Sequence, residues 1–292
     1  MIPLKDNIPT LRFPVVTVAL IVLNVAVFVW QLTYSNSSYE TPELHRLGVT
    51  EADENAIEFG AIPYRVAHPG AQCAVGVVAD EARHRADIVC EDTEDYREAQ
   101  DAEEAGVAPL VPVDTAPALL TLITSMFMHG GILHLAGNML FLWVFGNNIE
   151  DSMGRLRFLL FYLLAGLIAV LAQSLLEAGA TVPTIGASGA VSGVLGGYIL
   201  LHPRARILTM VIIIFFFTFI EIPAMIMLGI WFALQAIPVF ADLASPDIGG
   251  GAGGIAYLAH IAGFIFGLAA IKLFVNRRER EPGSAAGIPR PA

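Results

Sequence analysis

Apolar positions along the chain gather into runs close to twenty residues, and polar segments of very unequal length separate them. About 20 consecutive apolar residues is the length at which an α-helix crosses a bilayer. The first run covers 13–33, with Lys5 and Arg12 before it and Trp30 and Tyr34 at its far end, where aromatic rings favour the membrane interface. Pro14 fits a first helical turn, where its missing N–H costs little. Asn24, in mid-run, suits a helix–helix hydrogen bond, with a substrate contact as the alternative. The run is long enough to span and carries no small-residue cleavage site, so it is read as a signal-anchor helix.

Residues 34–118 are polar and acidic, a large aqueous loop or insert in which 91–104 reads as an exposed helix or a disordered acidic run. Apolar character returns over 117–145, interrupted by Thr121, Thr124, Ser125, His129, Gly130, Gly131, His134 and Asn138. That pattern predicts an irregular, partly helical stretch to Gly131 and a span over 132–144 or slightly beyond. A polar turn at 147–157, a span at 158–176 and a short span at 186–201 follow. The run 207–240 is too long for one span, and Glu221-Ile222-Pro223 divides it into a shallow or helix-entry piece up to Ile220 and a fifth span over 223–237. A flexible glycine-rich loop at 249–254, a sixth span at 255–275 and a disordered tail at 276–292 complete the pattern.

Composition strengthens this picture. The 292 residues are 55% hydrophobic and 15% charged, against about 25% charged in a soluble domain. The net charge of -11 is strongly segregated: 18 of the 27 acidic residues fall in the loop. Eleven of the 16 basic residues, among them Lys5, Arg12, Arg155, Arg157, Arg204, Arg206 and Lys272, fall on one side of a six-span arrangement. The positive-inside rule makes that side cytoplasmic, with both termini inside and the acidic loop outside. Cys73 and Cys90 both lie in the loop, where an oxidising compartment favours a disulfide. Two thiols with His84 are the alternative, as metal ligands, although the spacing matches no zinc motif.

Candidate chemistry centres on Ser188, between Gly186 and Gly189 at the head of the fourth span, because polar groups inside a membrane are costly and tend to be functional. The six-span arrangement brings His129, His134 and His260 to the same side. His134 and Asn138, four residues apart, share a helix face and can donate to one acceptor, as an oxyanion requires; a tie between helices serves equally as an explanation. His260 heads a small-residue face with Gly263 and Gly267, and Ser188 heads a matching one with Gly189, Gly193 and Gly196. Packed together, such faces bring backbones close and give a hydroxyl an imidazole base. No carboxylate is placed to orient that imidazole, so a Ser–His dyad is expected, and no HExxH or paired intramembrane carboxylates indicate a metal.

These segments, His129-Gly-Gly-Ile-Leu-His134-Leu-Ala-Gly-Asn138, Gly186-Ala-Ser188-Gly189 and Ala259-His260-Ile-Ala-Gly263, in this order, resemble the rhomboid family of intramembrane serine proteases. Pro14 to Thr17 with Asn24 and Phe28 resemble the first span of bacterial members. The resemblance covers residues 1–34 and 119–275. It implies Ser188 as nucleophile, His260 as base and then acid, and an oxyanion site from the Ser188 N–H, His134 and Asn138. It further implies a structural role for His129, backbone access at Gly186, close helix contact at Gly263 and Gly267, and a lateral gate and cap from the fifth span and the 249–254 loop. Two departures stand out: Leu120-Thr121 replaces a Trp-Arg pair, and Ser192 replaces an aromatic four residues after the serine, so the base is expected to be held differently.

The expected architecture is an all-α polytopic membrane protein, a six-helix rhomboid-like bundle. Its parts are a cytoplasmic segment (1–12), a first helix (13–33), an acidic extracytoplasmic loop or insert (34–118), a core with helices two to six (119–275) and a cytoplasmic tail (276–292). The expected activity is hydrolysis of a peptide bond in or near a transmembrane helix through an acyl-enzyme, without cofactor or nucleic acid. Its partners would be single-pass or other membrane substrates and the lipid bilayer, in a bacterial plasma membrane. The rivals are a catalytically inactive rhomboid-like protein that binds and sorts membrane helices, and a small-solute transporter.

Overall fold

The structure is a computed structural model that describes residues 2–33, 44, 47, 49–80, 83–113, 115–213, 216–244 and 256–275. The glycine-rich stretch 249–254, the tail 276–292 and residues 34–43 lie outside the described residues. Strand β1 (Ile2–Asp6) precedes helix α1 (Val15–Thr33). The insert contains α2 (Glu51–Phe59), α3 (Pro63–Ala67), β2 (Cys73–Asp80), β3 (Arg83–Cys90), α4 (Glu94–Glu104) and β4 (Val111–Pro112). Then come α5 (Ala118–Thr124), a 3-10 turn (Ser125–Phe127), α6 (Ile132–Met153), α7 (Arg155–Leu176) and α8 (Ser188–Leu201). A hairpin of β5 (Arg206–Ile213) and β6 (Phe216–Pro223) leads to α9 (Ala224–Ala244) and α10 (Tyr257–Phe274).

Helices α1, α6, α7 and α10 are long and apolar enough to cross a membrane; α8 and the apolar part of α9 are shorter. Outward positions such as Val22 and Val25 on α1 and Met225, Ile230 and Leu234 on α9 are exposed and apolar, a surface suited to lipid. The chain is an integral membrane protein built mostly of helices.

Two three-stranded sheets correct the all-α expectation, in orders β1-β5-β6 and β3-β2-β4. The stretch up to Ile220, expected as a shallow or helix-entry piece, instead contributes strands β5 and β6, paired from Arg206↔Pro223 to Ile213↔Phe216. The run is rich in β-branched and aromatic residues, which favour strands. A continuous apolar run has no periodicity to distinguish the two structures.

The expected turn at 147–157 is also corrected: α6 continues to Met153, and the chain breaks only at Gly154, with φ +79°. This keeps Glu150 inside a helix and buried. Its carboxylate accepts hydrogen bonds from the Val16 N–H (3.0 Å), the Thr17 N–H (2.8 Å) and the Thr17 hydroxyl (2.8 Å). First-turn N–H groups have no intrahelical partner and carry partial positive charge, so the buried carboxylate anchors α1 to α6. Nearby, Asp6 accepts from the Tyr198 hydroxyl (2.6 Å) and the Asn148 amide, tying β1 to α8 and α6. Burial pushes the Asp6 carboxyl above its ordinary range against the lowering effect of these hydrogen bonds.

The described part of the insert is folded. Thr50 and Asp53 form a capping box at the start of α2, and α4 packs on β2, where Ala99 lies against Gly76. Cys73 and Cys90 face each other in the β2–β3 ladder and are joined by a disulfide, leaving neither thiol as a metal ligand. The insert docks on the bundle: Ala61 and Thr184 exchange backbone hydrogen bonds (3.1 and 2.8 Å), and the Tyr64 N–H donates to the Ala180 carbonyl (2.9 Å).

At the centre, α8 is buried from Gly189 to Tyr198 among α6, α7 and α10. A Cβ at Gly263 would collide with the Gly189 carbonyl oxygen, one at Gly267 with that of Gly193, and one at Gly196 with that of Phe264. Backbone thus packs on backbone, the close approach that small residues permit between membrane helices. Gly263→Ala and Gly267→Ala are each expected to destabilise by roughly 1–3 kcal/mol. Gly229→Ala on α9, whose Cβ meets nothing within 4 Å, should leave stability unchanged or raise it. Denaturation in mixed micelles followed by circular dichroism distinguishes the three; equal losses would refute the packing argument.

Candidate active site

Ser188 is the first residue of α8. The loop before it is pinned on two sides: Thr184 is bridged to Ala61 of the insert, and the Gly186 N–H donates to the Ser125 carbonyl (2.8 Å). Gly186 has φ +121°, a conformation that side-chain-bearing residues rarely adopt. A Cβ there would stand 2.8 Å from Cε1 and Nε2 of His134 and 3.6 Å from Ser188 Oγ. Glycine therefore keeps clear a small space bordered by the serine hydroxyl, the His134 ring and the start of a helix. Helix starts favour anions through unpaired N–H groups and the helix dipole.

His260, in the first turn of α10, places Nε2 2.8 Å from Ser188 Oγ. The neighbouring Ala259 N–H donates to Gln173 Oε1 (3.0 Å), which fixes this turn against α7. The imidazole is flanked by Trp231 of α9 (ring centroids 6.1 Å) and Tyr257 (6.4 Å, nearly perpendicular). Ser192, where an aromatic was the alternative, donates instead to the Ser188 carbonyl (2.6 Å) and does not hold the ring. His260 Nδ1 lies 2.8 Å from Gln235 Oε1.

Gln235 was not singled out by the sequence reading. The signal that finds it is its polarity: it is the one amide, and no charged side chain occurs, within the apolar stretch 224–240. Glu221 lies in β6 and pairs with Arg206 (3.3 Å), and the side chain of Asp242 is outside the described residues.

His134 and Asn138 project from α6 into the same cavity, of about 900 Å³, which Ser188, His260, Gln235 and the insert's Pro63 also line. Asn138 is 8% exposed, and its amide nitrogen has no hydrogen-bond partner among the described residues, an orphaned donor of the kind an oxyanion would satisfy. His129 lies outside this wall. Its ring donates from Nδ1 to the Phe127 carbonyl (3.2 Å), and its backbone N–H donates to Gln31 Oε1 (3.0 Å), tying the loop to α1. Gly189, Gly263 and Gly267 lie in the α8–α10 contact, and Cys73 and Cys90 lie in the insert, away from the cavity.

A family profile described as Rhomboid domain matches residues 116–277. Among curated proteins, the chain is similar to Rhomboid protein 1, mitochondrial, of Saccharomyces cerevisiae, at 36% identity over 106 residues, covering 35% of this chain and 31% of that protein. It is similar to Rhomboid protease GluP of Bacillus subtilis, at 42% over 89 residues, covering 30% of this chain and 17% of that protein. A third relative is Inactive rhomboid protein 1 of Drosophila melanogaster, at 34% over 96 residues, covering 33% of this chain and 7% of that protein. The chain thus spans less than a third of the length of each of these relatives.

Burial, with the nearby His134 ring adding, holds the His129 imidazole well below its ordinary 6.5, at about 4. The folded value is depressed, so its contribution to stability is complete above pH 6.5 and is lost as pH falls towards 4. The melting midpoint of the wild type should therefore fall more steeply across this window than that of His129→Gln. Parallel profiles would show that His129 is not held neutral by the fold.

Proposed function

The chain belongs to the rhomboid family, and on that premise we propose that it is an intramembrane serine endopeptidase. The observation that carries this reading is the 2.8 Å approach of Ser188 Oγ and His260 Nε2 at a helix start inside a cavity. In the proposed reaction His260 takes the hydroxyl proton as Oγ attacks the scissile carbonyl. The developing oxyanion is held by the Ser188 N–H, His134 and the Asn138 amide. His260 then protonates the leaving amine, and a water it activates hydrolyses the acyl-enzyme.

The cavity lies against the shorter helices α8 and α9, which supports a substrate that is itself a membrane segment and enters from the lipid side past α9. Lys5 in β1, Arg12 before α1, Arg155 and Arg157 at the start of α7, Arg204 after α8 and Arg206 at the start of β5 all lie away from Ser188 at the head of α8. This supports cytoplasmic termini and a site opening outward, in a bacterial plasma membrane. The 34–118 insert and the 119–275 core would then be an extracytoplasmic unit and a six-helix catalytic unit.

The similarity to a relative named inactive favours a second reading, a rhomboid-like protein that binds membrane helices without cleaving them. One experiment separates the two. Wild type should cleave a model transmembrane substrate and take up a fluorophosphonate at Ser188, while Ser188→Ala and His260→Ala lose roughly 10³-fold or more in kcat. Asn138→Ala should lose roughly 10²-fold in kcat, with substrate binding largely kept. Equal rates in wild type and both dyad variants would eliminate the protease.

A further inference from the structure

We propose that Gln235 is the positioning residue for His260: its side-chain carbonyl accepts the Nδ1–H and so leaves Nε2, facing Ser188, without a proton. The kinetic consequence rests on the proteolytic reading; the tautomer itself does not.

The argument begins with the ring's two nitrogens, both engaged at 2.8 Å, one by Gln235 Oε1 and the other by Ser188 Oγ. A neutral imidazole has one donor and one acceptor. The serine hydroxyl can serve either way, whereas an amide oxygen only accepts. The amide therefore decides which nitrogen carries the proton, and the choice it makes is the one a general base needs. The remaining neighbours cannot do this. Trp231 and Tyr257 confine the ring from its sides without a polar atom directed at Nδ1, and Ser192 is engaged with the Ser188 carbonyl.

Placement supports the same role. An amide in the apolar stretch 224–240 is costly unless a partner satisfies it, and its partner here is the imidazole. Trp231, Phe232 and Gln235 share one face of α9, and the first two rest on Phe264 of α10 (6.0 and 4.7 Å). Gln235 thus reaches His260 from a helix that carries neither member of the dyad, and a shift of α9 away from α10 would break the bond. The titratable groups around the ring are His134 on α6, Tyr257 on α10 and, at the rim of the cavity, Glu177 after α7. Helices α8 and α9 bring none to it among the described residues.

The test uses the full chain in lipid bilayers with ¹⁵N-labelled histidine, His260 being assigned by difference against His260→Asn. The wild type should show a protonated Nδ1 and a bare Nε2, and Gln235→Leu a mixed or reversed tautomer. The same tautomer in both, or a proton on Nε2 in the wild type, overturns the assignment whether or not the protein cleaves anything. On a fluorogenic transmembrane peptide, Gln235→Leu should lower kcat about 10- to 100-fold with KM unchanged. Gln235→Glu should keep its rate at high pH but move the acidic limb of kcat/KM up by about one pH unit, because a carboxylate beside Nδ1 favours the imidazolium and the base works only when neutral. A wild-type rate in Gln235→Leu together with an unmoved limb in Gln235→Glu would overturn the positioning role in catalysis. If the wild type neither cleaves nor takes up a fluorophosphonate, the proteolytic reading fails, while the ¹⁵N result still decides what Gln235 does to His260.

Discussion

The contact of the α8 backbone with the α10 backbone is the constraint on which the site depends. Within a bilayer there is no hydrophobic drive to bring two helices together, so association rests on close packing and polar contacts. Gly263, Gly267 and Gly196 let carbonyl oxygens approach where any Cβ would collide. Ser188 immediately precedes Gly189, and His260 lies three residues before Gly263. Fixing these glycines in register therefore fixes hydroxyl and imidazole in reach of one another.

The rest of the molecule holds that contact in a frame. One end of α8 is approached through a loop clamped between the Ser125 carbonyl and the insert, with Ala61 bridged to Thr184. The acidic insert is thus part of the wall around Ser188, and its Pro63 lines the cavity. The other end is tied by the Tyr198 hydroxyl to Asp6, so the first strand is anchored to the same helix. Glu150 performs a comparable task for α1, meeting its unpaired first-turn N–H groups from the end of α6. The Tyr198 and Glu150 anchors each place a polar side chain near a helix terminus, where backbone groups need partners.

The surroundings of His260 show why part of the candidate site was legible and part was not. The GxSG segment, the His134–Asn138 pair and the His260–Gly263–Gly267 face carry their meaning in local spacing: four residues on a helix share a face whatever the fold. The substitution at Ser192 was legible as a difference, but its outcome was not. What took the place of an aromatic on α8 came from α9 and α10, as Trp231, Tyr257 and Gln235. Gln235 carries a signal in its isolation within an apolar stretch, but its partner lies on another helix.

By itself the sequence determined most of the apolar helices and which polar residues share a helix face, because bilayer thickness sets helix length and helical geometry sets the face. Tertiary structure alone decided three things. Within the run 207–220, β5 paired with β1 and β6 with β5, since an unbroken apolar run suits helix and strand alike until a neighbour offers backbone hydrogen bonds. The insert was seated on the loop before Ser188 through backbone pairing, which no side-chain pattern encodes. His260 acquired its two partners across 72 and 25 residues of chain, because a hydrogen bond between helices depends on where those helices cross, and that crossing is set by packing.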